Sequence, residues 1–306
     1  MWQQLLEQIR KGETKALARA ISFVENEQPG YEQLMSALQT NKNIPVIGIT
    51  GPPGAGKSTL VDGLVGEALK KKKRTAVICV DPSSPFHLGA LLGDRIRMGN
   101  WYANPDVFIR SLATRGSLGG LHPKILEVTD LVKAAGYDLV IIETVGVGQS
   151  EVEIAGLADM TVVVMVPEGG DEVQTMKAGL MEIADIFVVN KSDRPDADLF
   201  VKNLRQMLAP AFSTRKQEVP VMKTVASEQK GLPELFEAIE NLHGQINDEE
   251  RKFALQFKKA WYLIQKEKMK SVNRNELHAS LQHEANQKGF NLYRFVQDYL
   301  KQYSSR

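Results

Sequence analysis

The sequence predicts an α/β fold with a mostly parallel sheet that is covered by helices on both faces. Short apolar runs rich in β-branched residues recur along the middle of the chain, and amphipathic segments of helix length separate them. Nearly continuous apolar strands of this kind are typical of parallel sheets that are buried on both sides. The predicted strands cover residues 46–50, 75–80, 139–142, 161–166, 186–189 and, more weakly, 219–222.

The first predicted strand leads into a glycine-rich segment that matches the phosphate-loop pattern. In such a loop the backbone N–H groups point at phosphate oxygens, and the following helix directs the positive end of its dipole at the same charge. Lys57 would contact the outer phosphates, and the hydroxyl of Ser58 would bind Mg²⁺. The fold class is therefore that of a P-loop NTPase. The predicted phosphate-binding residues are Gly51, Pro52, Pro53, Gly54, Ala55, Gly56, Lys57, Ser58, Thr59 and, from a later strand, Gly146.

A second motif follows the predicted strand at residues 186–189. Asn190, Lys191 and Asp193 fall at the carboxyl end of this strand, where α/β sheets bind their ligands. The carboxylate of Asp193 can accept hydrogen bonds from N1–H and the exocyclic amine of guanine. Adenine lacks this pair of donors, so the motif selects GTP over ATP. Lys191 is expected along the plane of the base, and Asn190 is expected to tie the turn to the phosphate loop.

Three acidic residues are candidates to surround Mg²⁺. Glu143 ends a strand and begins a Glu-Thr-Val-Gly segment, where GTPases usually carry Asp-x-x-Gly, and Gly146 would direct its N–H at the γ-phosphate. Asp81 ends another strand, and Asp94 lies in the run GALLGDRIRM. Such carboxylates suit one hard cation. The alternative, in which Asp81 caps a turn and Asp94 pairs with a neighbouring arginine, fits the spacing equally well.

The groups that would drive hydrolysis are less sharply defined. Gln149 lies just beyond Gly146 and could orient the attacking water, or it could belong to the start of the next helix. The predicted catalytic residues are Lys57, Asp81, Asp94, Glu143 and Gln149. The candidates for an arginine that contacts the phosphates are Arg95, Arg97, Arg110 and Arg115, and the sequence does not choose among them.

The order of these motifs resembles the MeaB/ArgK family of GTPases, relatives of the human methylmalonic aciduria type A protein. The resemblance runs nearly from end to end, and its segments are GPPGAGKST, VDPSSPF, GALLGDRIRM, FIR, GSLGG, ETVGVGQSE and NKSD. It implies a GTP-hydrolysing metallochaperone that gates cofactor loading or protection of a cobalamin-dependent acyl-CoA mutase, in the first place methylmalonyl-CoA mutase. GTP or GDP and Mg²⁺ are the implied ligands.

The resemblance also assigns residues by position. It places Ser58, Asp81, Asp94 and Glu143 around the metal, and it places the backbone of Ala226 and Ser227 near the guanine oxygen. Residues 167–177 are similar to the third switch of the family, and the residues assigned to it are Pro167, Asp171, Glu172 and Lys177. The chain departs from the family at His87, Leu88, His122 and Pro123, which are expected to alter flexible switch loops.

Helical periodicity predicts additions at both ends of the nucleotide-binding domain. We expect an N-terminal helical extension at residues 1–43, the P-loop GTPase domain at 44–244 and a C-terminal helical arm at 245–306. One face of the arm carries Phe253, Phe257, Trp261 and Ile264. This face would either pack on the main domain or form a homodimer.

Composition argues against several other functions. A net charge of +1 gives no reason to expect nucleic acid as a partner, and no apolar stretch has the length of a membrane span. The start of the chain lacks the pattern of a signal peptide, so a cytoplasmic location is expected. One cysteine and five scattered histidines disfavour a nickel-insertion GTPase, which would need a metal-binding cluster. Asp193 disfavours the remaining alternative, an ATP-dependent kinase or transport ATPase.

Overall fold

A computed structural model describes residues 1–41, 43–81, 98–114, 121–146, 153–167, 178–212, 218–245, 249–287 and 289–303. The described chain separates into two compact units, Met1–Lys252 and Phe253–Arg306. Several residues with predicted roles lie outside the described ranges, namely His87, Leu88, Asp94, Arg95, Arg97, Arg115, Gln149, Asp171, Glu172 and Lys177.

The first unit is built on one parallel sheet, which has seven strands within the described residues. The order across the sheet is β3-β2-β4-β1-β5-β6-β7, and every neighbouring pair is parallel. Every residue of β1, β2, β4, β5 and β6 is buried, as expected of a sheet covered on both faces. The predicted α/β class is thereby confirmed. The strands are β1 (Val46–Thr50), β2 (Thr75–Asp81), β3 (Val107–Ala113), β4 (Leu139–Glu143), β5 (Met160–Met165), β6 (Ile186–Val189) and β7 (Val221–Lys223).

Among the strands of the described residues, β3 is the one that the sequence pattern did not predict. It lies at an edge of the sheet, and its central residues Ile109, Arg110 and Ser111 are only partly buried. Arg110 interrupts the apolar run by which the central strands are recognised. The arginine is accommodated because its guanidinium pairs with the carboxylate of Glu25.

Helices cover both faces of this sheet. The three N-terminal helices and α5 share one hydrophobic cluster with β1 to β4, whereas α4 and α8 contribute to the cluster on the other face. A third cluster joins β5, β6 and α7. The helices are α1 (Trp2–Arg10), α2 (Thr14–Glu25), α3 (Tyr31–Ser36), α4 (Lys57–Lys70), α5 (Ile125–Ala134), α6 (Ala178–Ile183), α7 (Ala197–Phe212) and α8 (Leu232–Gln245).

The second unit contains most of α9 (Glu249–Met269), together with α10 (Arg274–Ala285) and α11 (Leu292–Tyr303). Phe295 and Tyr299 of α11 are buried, and their ring centroids are 6.0 Å apart. The predicted aromatic face of α9 is exposed instead. Its members are Phe253 (69% exposed), Phe257 (60%), Trp261 (56%) and Ile264 (56%). Across the described residues, no helix combines the length and the apolar character that a membrane span requires.

Candidate functional site

The phosphate loop connects β1 to α4, and its glycines have backbone conformations that other residues adopt rarely. The φ angles of Gly51, Gly54 and Gly56 are 138°, 77° and 86°. A Cβ atom on Gly51 would lie 2.0 Å from the carbonyl oxygen of Val164, and one on Gly56 would lie 2.4 Å from Nδ2 of Asn190. All three positions favour glycine by their backbone angle, and at Gly51 and Gly56 the close approach of neighbouring chain segments also excludes a side chain.

Lys57 begins α4, and its buried side chain folds back over the loop. Its Nζ donates hydrogen bonds to the carbonyl oxygens of Gly51 at 2.8 Å and of Pro52 at 3.0 Å. A buried ammonium group needs such acceptors because burial removes it from water. These two acceptors hold the amine against the loop that is predicted to bind phosphates.

Ser58 contacts one of the predicted metal ligands directly. Its hydroxyl donates a hydrogen bond to Oε1 of Glu143 at 2.6 Å. Glu143 ends β4 and Asp81 ends the neighbouring strand β2, and all three side chains are buried. Mg²⁺ prefers hard oxygen donors. The Ser58 hydroxyl and the two carboxylates at the carboxyl ends of β2 and β4 are such donors, so these residues fit that metal. Within the described residues, no group of three acidic, histidine or cysteine side chains forms a ready metal cluster.

The Glu-Thr-Val-Gly segment returns across the phosphate loop after β4. Gly146 has a φ of 80°, and a Cβ atom there would lie 2.4 Å from both Nζ of Lys57 and the carbonyl oxygen of Gly51. Only a residue without a side chain allows this approach. The backbone of Gly146 thus lies against the lysine and loop that are predicted to hold the phosphates.

Asn190 joins three segments of the predicted base site. Its Nδ2 donates to the carbonyl oxygen of Ala55 at 2.9 Å, which connects the turn after β6 to the phosphate loop. Its Oδ1 accepts from the hydroxyl of Thr224 and from the backbone N–H of Ala226, both at 3.1 Å. Asn190 is 2% exposed. Because all these contacts use one amide group, the orientation of Asn190 fixes the phosphate loop relative to the turn that carries Ala226.

Lys191 and Asp193, the other residues of the base motif, follow Asn190 in the turn. Lys191 has a φ of 56°, and its Nζ donates to the carbonyl oxygen of Gly54 at 2.8 Å. Asp193 and Ser227 both have exposed side chains. Thr224 was not predicted as a site residue. Thr224 lies two residues before Ala226 in the sequence. This proximity to a predicted base contact is the signal by which the bond from Thr224 to Asn190 could have been anticipated.

Two predicted residues belong to a different part of the unit. His122 is buried, with Nε2 3.6 Å from Oε1 of Glu25 and Nδ1 accepting from the backbone N–H of Lys124 at 3.0 Å. The guanidinium of Arg110 pairs with the same Glu25 and donates to Ser22 Oγ at 3.2 Å. His122 is therefore held by α2 and by the residue just before α5, and the expectation that it alters a switch loop stays a prediction. The guanidinium of Arg110 is held by side chains of α2 through these two contacts.

A parallel sheet with a phosphate loop after β1, a carboxylate at the end of β4 and an Asn-Lys-x-Asp turn after β6 defines the class of P-loop GTPases. Comparison with protein families then identifies the group within this class. The model of the family described as methylmalonyl-CoA mutase-associated GTPase MeaB matches residues 17–280. The chain therefore belongs to this family, which confirms the expected family and the GTPase class.

Individual relatives agree with this assignment. The GTPase ArgK of Escherichia coli is 38% identical over 244 residues, which cover 76% of this chain and 73% of ArgK. The fused isobutyryl-CoA mutase of Geobacillus kaustophilus is 39% identical over 250 residues, which cover 76% of this chain but 23% of that protein. A crystal structure described as a LAO/AO transport system kinase has a TM-score of 0.73 at 26% identity and covers 100% of this chain and 98% of its own.

Proposed function

We propose that the chain is a Mg²⁺-dependent GTPase that gates cofactor loading or protection of a cobalamin-dependent acyl-CoA mutase, with methylmalonyl-CoA mutase as its client. Membership of the mutase-associated GTPase family is the observation that carries this proposal. The fused isobutyryl-CoA mutase adds support, because a segment similar to this chain occupies 23% of a protein with that name. A segment similar to this GTPase within a mutase chain supports a function of the GTPase in association with a mutase.

The phosphate loop would bind the triphosphate and stabilise the charge that develops during hydrolysis. Lys57 and the loop N–H groups would contact the phosphates, and Gly146 would direct its N–H at the γ-phosphate. Ser58, Glu143 and Asp81, with Asp94, would hold Mg²⁺, which neutralises charge on the β- and γ-phosphate oxygens when bound. The attack by water is in line with the leaving oxygen, and Gln149 is the candidate that orients this water.

Guanine specificity would come from the turn after β6. Asp193 would accept the two guanine hydrogen bonds, and Lys191 would lie along the base. The backbone of Ala226 and Ser227 would contact the guanine oxygen. The bonds from Asn190 to Ala55 and from Ala226 to Asn190 support this arrangement, since they join the base turn to the phosphate loop.

Residues 167–177 follow β5 in the chain. Strand β5 pairs directly with β1, and Val163 of β5 lies opposite Thr50, the residue before the phosphate loop. We propose that this segment, with its members Pro167, Asp171, Glu172 and Lys177, signals the nucleotide state to the mutase. A change of order in such a segment when the γ-phosphate is lost is a common form of switching.

The test is a binding measurement with purified components. Methylmalonyl-CoA mutase would be titrated into the chain loaded with a non-hydrolysable GTP analogue, with GDP, or with no nucleotide. We expect affinities that differ at least about 10-fold between the GTP-analogue and GDP states, since a switch must bind its partner differently in its two states. Equal affinity in all states would contradict gating. A pull-down from native cells that recovers a nickel enzyme instead would favour the nickel-insertion alternative, for which the described residues offer no metal cluster.

The C-terminal arm at residues 245–306 is proposed to form a homodimer. The exposed face of α9 supports this, because Phe257 and Trp261 stack on each other with centroids 6.4 Å apart and more than half of each side chain faces solvent. Exposed apolar patches of this kind usually mark interaction sites. Sedimentation should show a dimer that Trp261→Glu dissociates, whereas Lys258→Glu, the matched change on a polar position, should retain it. A wild-type monomer at all concentrations would exclude the dimer.

A further inference from the structure

We propose that the buried hydroxyl pair formed by Thr50 and Thr144 holds the Glu-Thr-Val-Gly segment against the phosphate loop and thereby positions it for GTP hydrolysis. The inference rests on the proposed function, because it takes Glu143 and Gly146 to serve the metal and the γ-phosphate. Thr50 and Thr144 would act through these neighbours, and so they are positioning residues.

The two hydroxyl groups meet where β1 and β4 end. Ile49 lies opposite Glu143 in the parallel register, and the backbone N–H of Thr144 donates to the carbonyl oxygen of Ile49 at 3.0 Å. Oγ1 of Thr144 then donates to Oγ1 of Thr50 at 2.9 Å. This side-chain bond continues the attachment of the two strands one residue beyond their regular backbone pairing.

The surroundings make this hydrogen bond a strong restraint. Thr50 and Thr144 are 0% and 1% exposed, and both strands that lead to them are fully buried. A buried hydroxyl that loses its partner cannot bind water instead, so separation of the pair is opposed by the cost of leaving both groups unsatisfied. Sliding of one segment along the other is opposed for the same reason.

Each threonine is bonded directly to a residue of the proposed site. Thr50 precedes Gly51, and Thr144 follows Glu143, whose Oε1 accepts from Ser58 at 2.6 Å. Two residues after Thr144, Gly146 approaches the loop so closely that a Cβ atom would lie 2.4 Å from the Gly51 oxygen. A displacement of about 1 Å at such a contact can lower a catalytic rate about 100-fold. The hydroxyl pair is a side-chain bond that joins the residue before Gly51 to the residue after Glu143.

The test compares kcat and KM for GTP in variants of Thr144. Thr144→Val keeps the shape and removes the hydroxyl, and we expect kcat to fall about 10-fold or more while KM changes less than about twofold. Thr144→Ser restores the hydroxyl and should keep kcat within about twofold of wild type. Thr129→Val is the control, because Thr129 is another buried threonine whose hydroxyl donates within α5, to the carbonyl oxygen of Ile125. An unchanged kcat in Thr144→Val, or equal losses in the Val and Ser variants, would overturn the proposal.

The double variant Thr50→Val/Thr144→Val separates positioning from stability. Replacing both partners by apolar groups of similar shape removes the unsatisfied hydroxyl, so the melting temperature should recover relative to Thr144→Val. We expect kcat to remain low. Recovery of kcat together with the melting temperature would show that the pair acts only on stability, and it would overturn the proposal.

Hydrogen exchange keeps the inference distinguishable from the proposed function. In the nucleotide-free protein, the amide of Gly146 should exchange faster in Thr144→Val than in wild type or Thr129→Val, and unchanged exchange would overturn the restraint. A wild-type chain that hydrolyses no GTP would refute the proposed function, and the exchange measurement would still decide whether the pair restrains the segment.

Discussion

The hydroxyl of Ser58 lies 2.6 Å from Oε1 of Glu143, although the two residues are 85 positions apart in the chain. This contact joins the first turn of the phosphate-loop helix to the end of β4. It brings together a hydroxyl and a carboxylate that both suit Mg²⁺.

Ser58→Ala should uncouple nucleotide binding from Mg²⁺. Loss of the hydroxyl removes one proposed metal ligand, so the gain in GDP affinity on adding Mg²⁺ should shrink at least about 10-fold. Calorimetric titration of GDP with Mg²⁺ and with EDTA measures this difference. Ser271→Ala is the matched control, since the Ser271 hydroxyl is exposed and donates to Lys268 in the second unit. A Mg²⁺ effect that is the same in Ser58→Ala and wild type would exclude Ser58 as a ligand.

Asp193→Asn should shift base preference from guanine towards xanthine. An amide can donate to the second carbonyl of xanthine, but it cannot accept both hydrogen bonds that guanine donates, so GTP affinity should fall at least about 100-fold and XTP affinity should rise. Competition binding with GTP and XTP measures both effects. Asp196→Asn, an exposed change nearby in the same turn, should behave as wild type. Full GTP affinity in Asp193→Asn would refute the assignment.

Gly146→Ala should abolish most hydrolysis by a steric effect. The new methyl group would meet Nζ of Lys57 at 2.4 Å, so the segment or the lysine must move. We expect kcat to fall at least about 10-fold. The control is Gly136→Ala, because Gly136 has a similar φ of 76° but a Cβ atom there would meet only Nη1 of Arg74, at 3.7 Å. Both variants should lose about 1–2 kcal/mol of stability from the positive φ. Equal kcat values in the two variants would show that the clash has no catalytic consequence.

The ion pairs of Glu240 with Lys71 and Lys73 should stabilise the protein at neutral pH and be lost in acid. Burial raises the pKa of its carboxyl, but hydrogen bonds and charge from Lys71 and Lys73 outweigh burial, so the pKa is lowered from its ordinary value of 4.5. A carboxyl with a lowered folded pKa stabilises the fold fully above the unfolded pKa, and this contribution is lost as pH falls through the folded pKa. Glu240→Gln should therefore cost about 1 kcal/mol at pH 7 and progressively less below pH 4.5.

Urea unfolding of Glu240→Gln and wild type across this pH range measures the effect. The matched control is Glu237→Gln, which makes the same change at an exposed position on the same helix. A constant difference between Glu240→Gln and wild type from pH 7 to pH 3 would contradict the assigned ion pairs.

Much of the fold could be predicted from the sequence because its signals are local. The apolar run of β1, the glycines of the phosphate loop and the turn at Asn190 each carry their pattern within a few adjacent residues. Strand β3 escaped prediction because Arg110 breaks its apolar run, and this arginine is accommodated by Glu25 of α2, 85 positions away.

The contacts that complete the site are long-range and could not be read from spacing. The pair of Thr50 and Thr144 spans 94 positions, and the bond from Thr224 to Asn190 spans 34. Nothing in the neighbouring sequence distinguishes Thr50, Thr144 or Thr224 from an ordinary threonine in a strand or just after one. The ion pair of Lys71 with Glu240 is another example, since the two residues are 169 positions apart.

Phosphate release from GTP and from ATP, measured with the wild-type chain in Mg²⁺ and in EDTA, tests the central claim most directly. The account predicts Mg²⁺-dependent release from GTP and release from ATP that is at least about 100-fold slower at equal subsaturating concentrations. Equal rates with GTP and ATP, or GTP hydrolysis that persists unchanged in EDTA, would contradict a guanine-specific, metal-dependent GTPase.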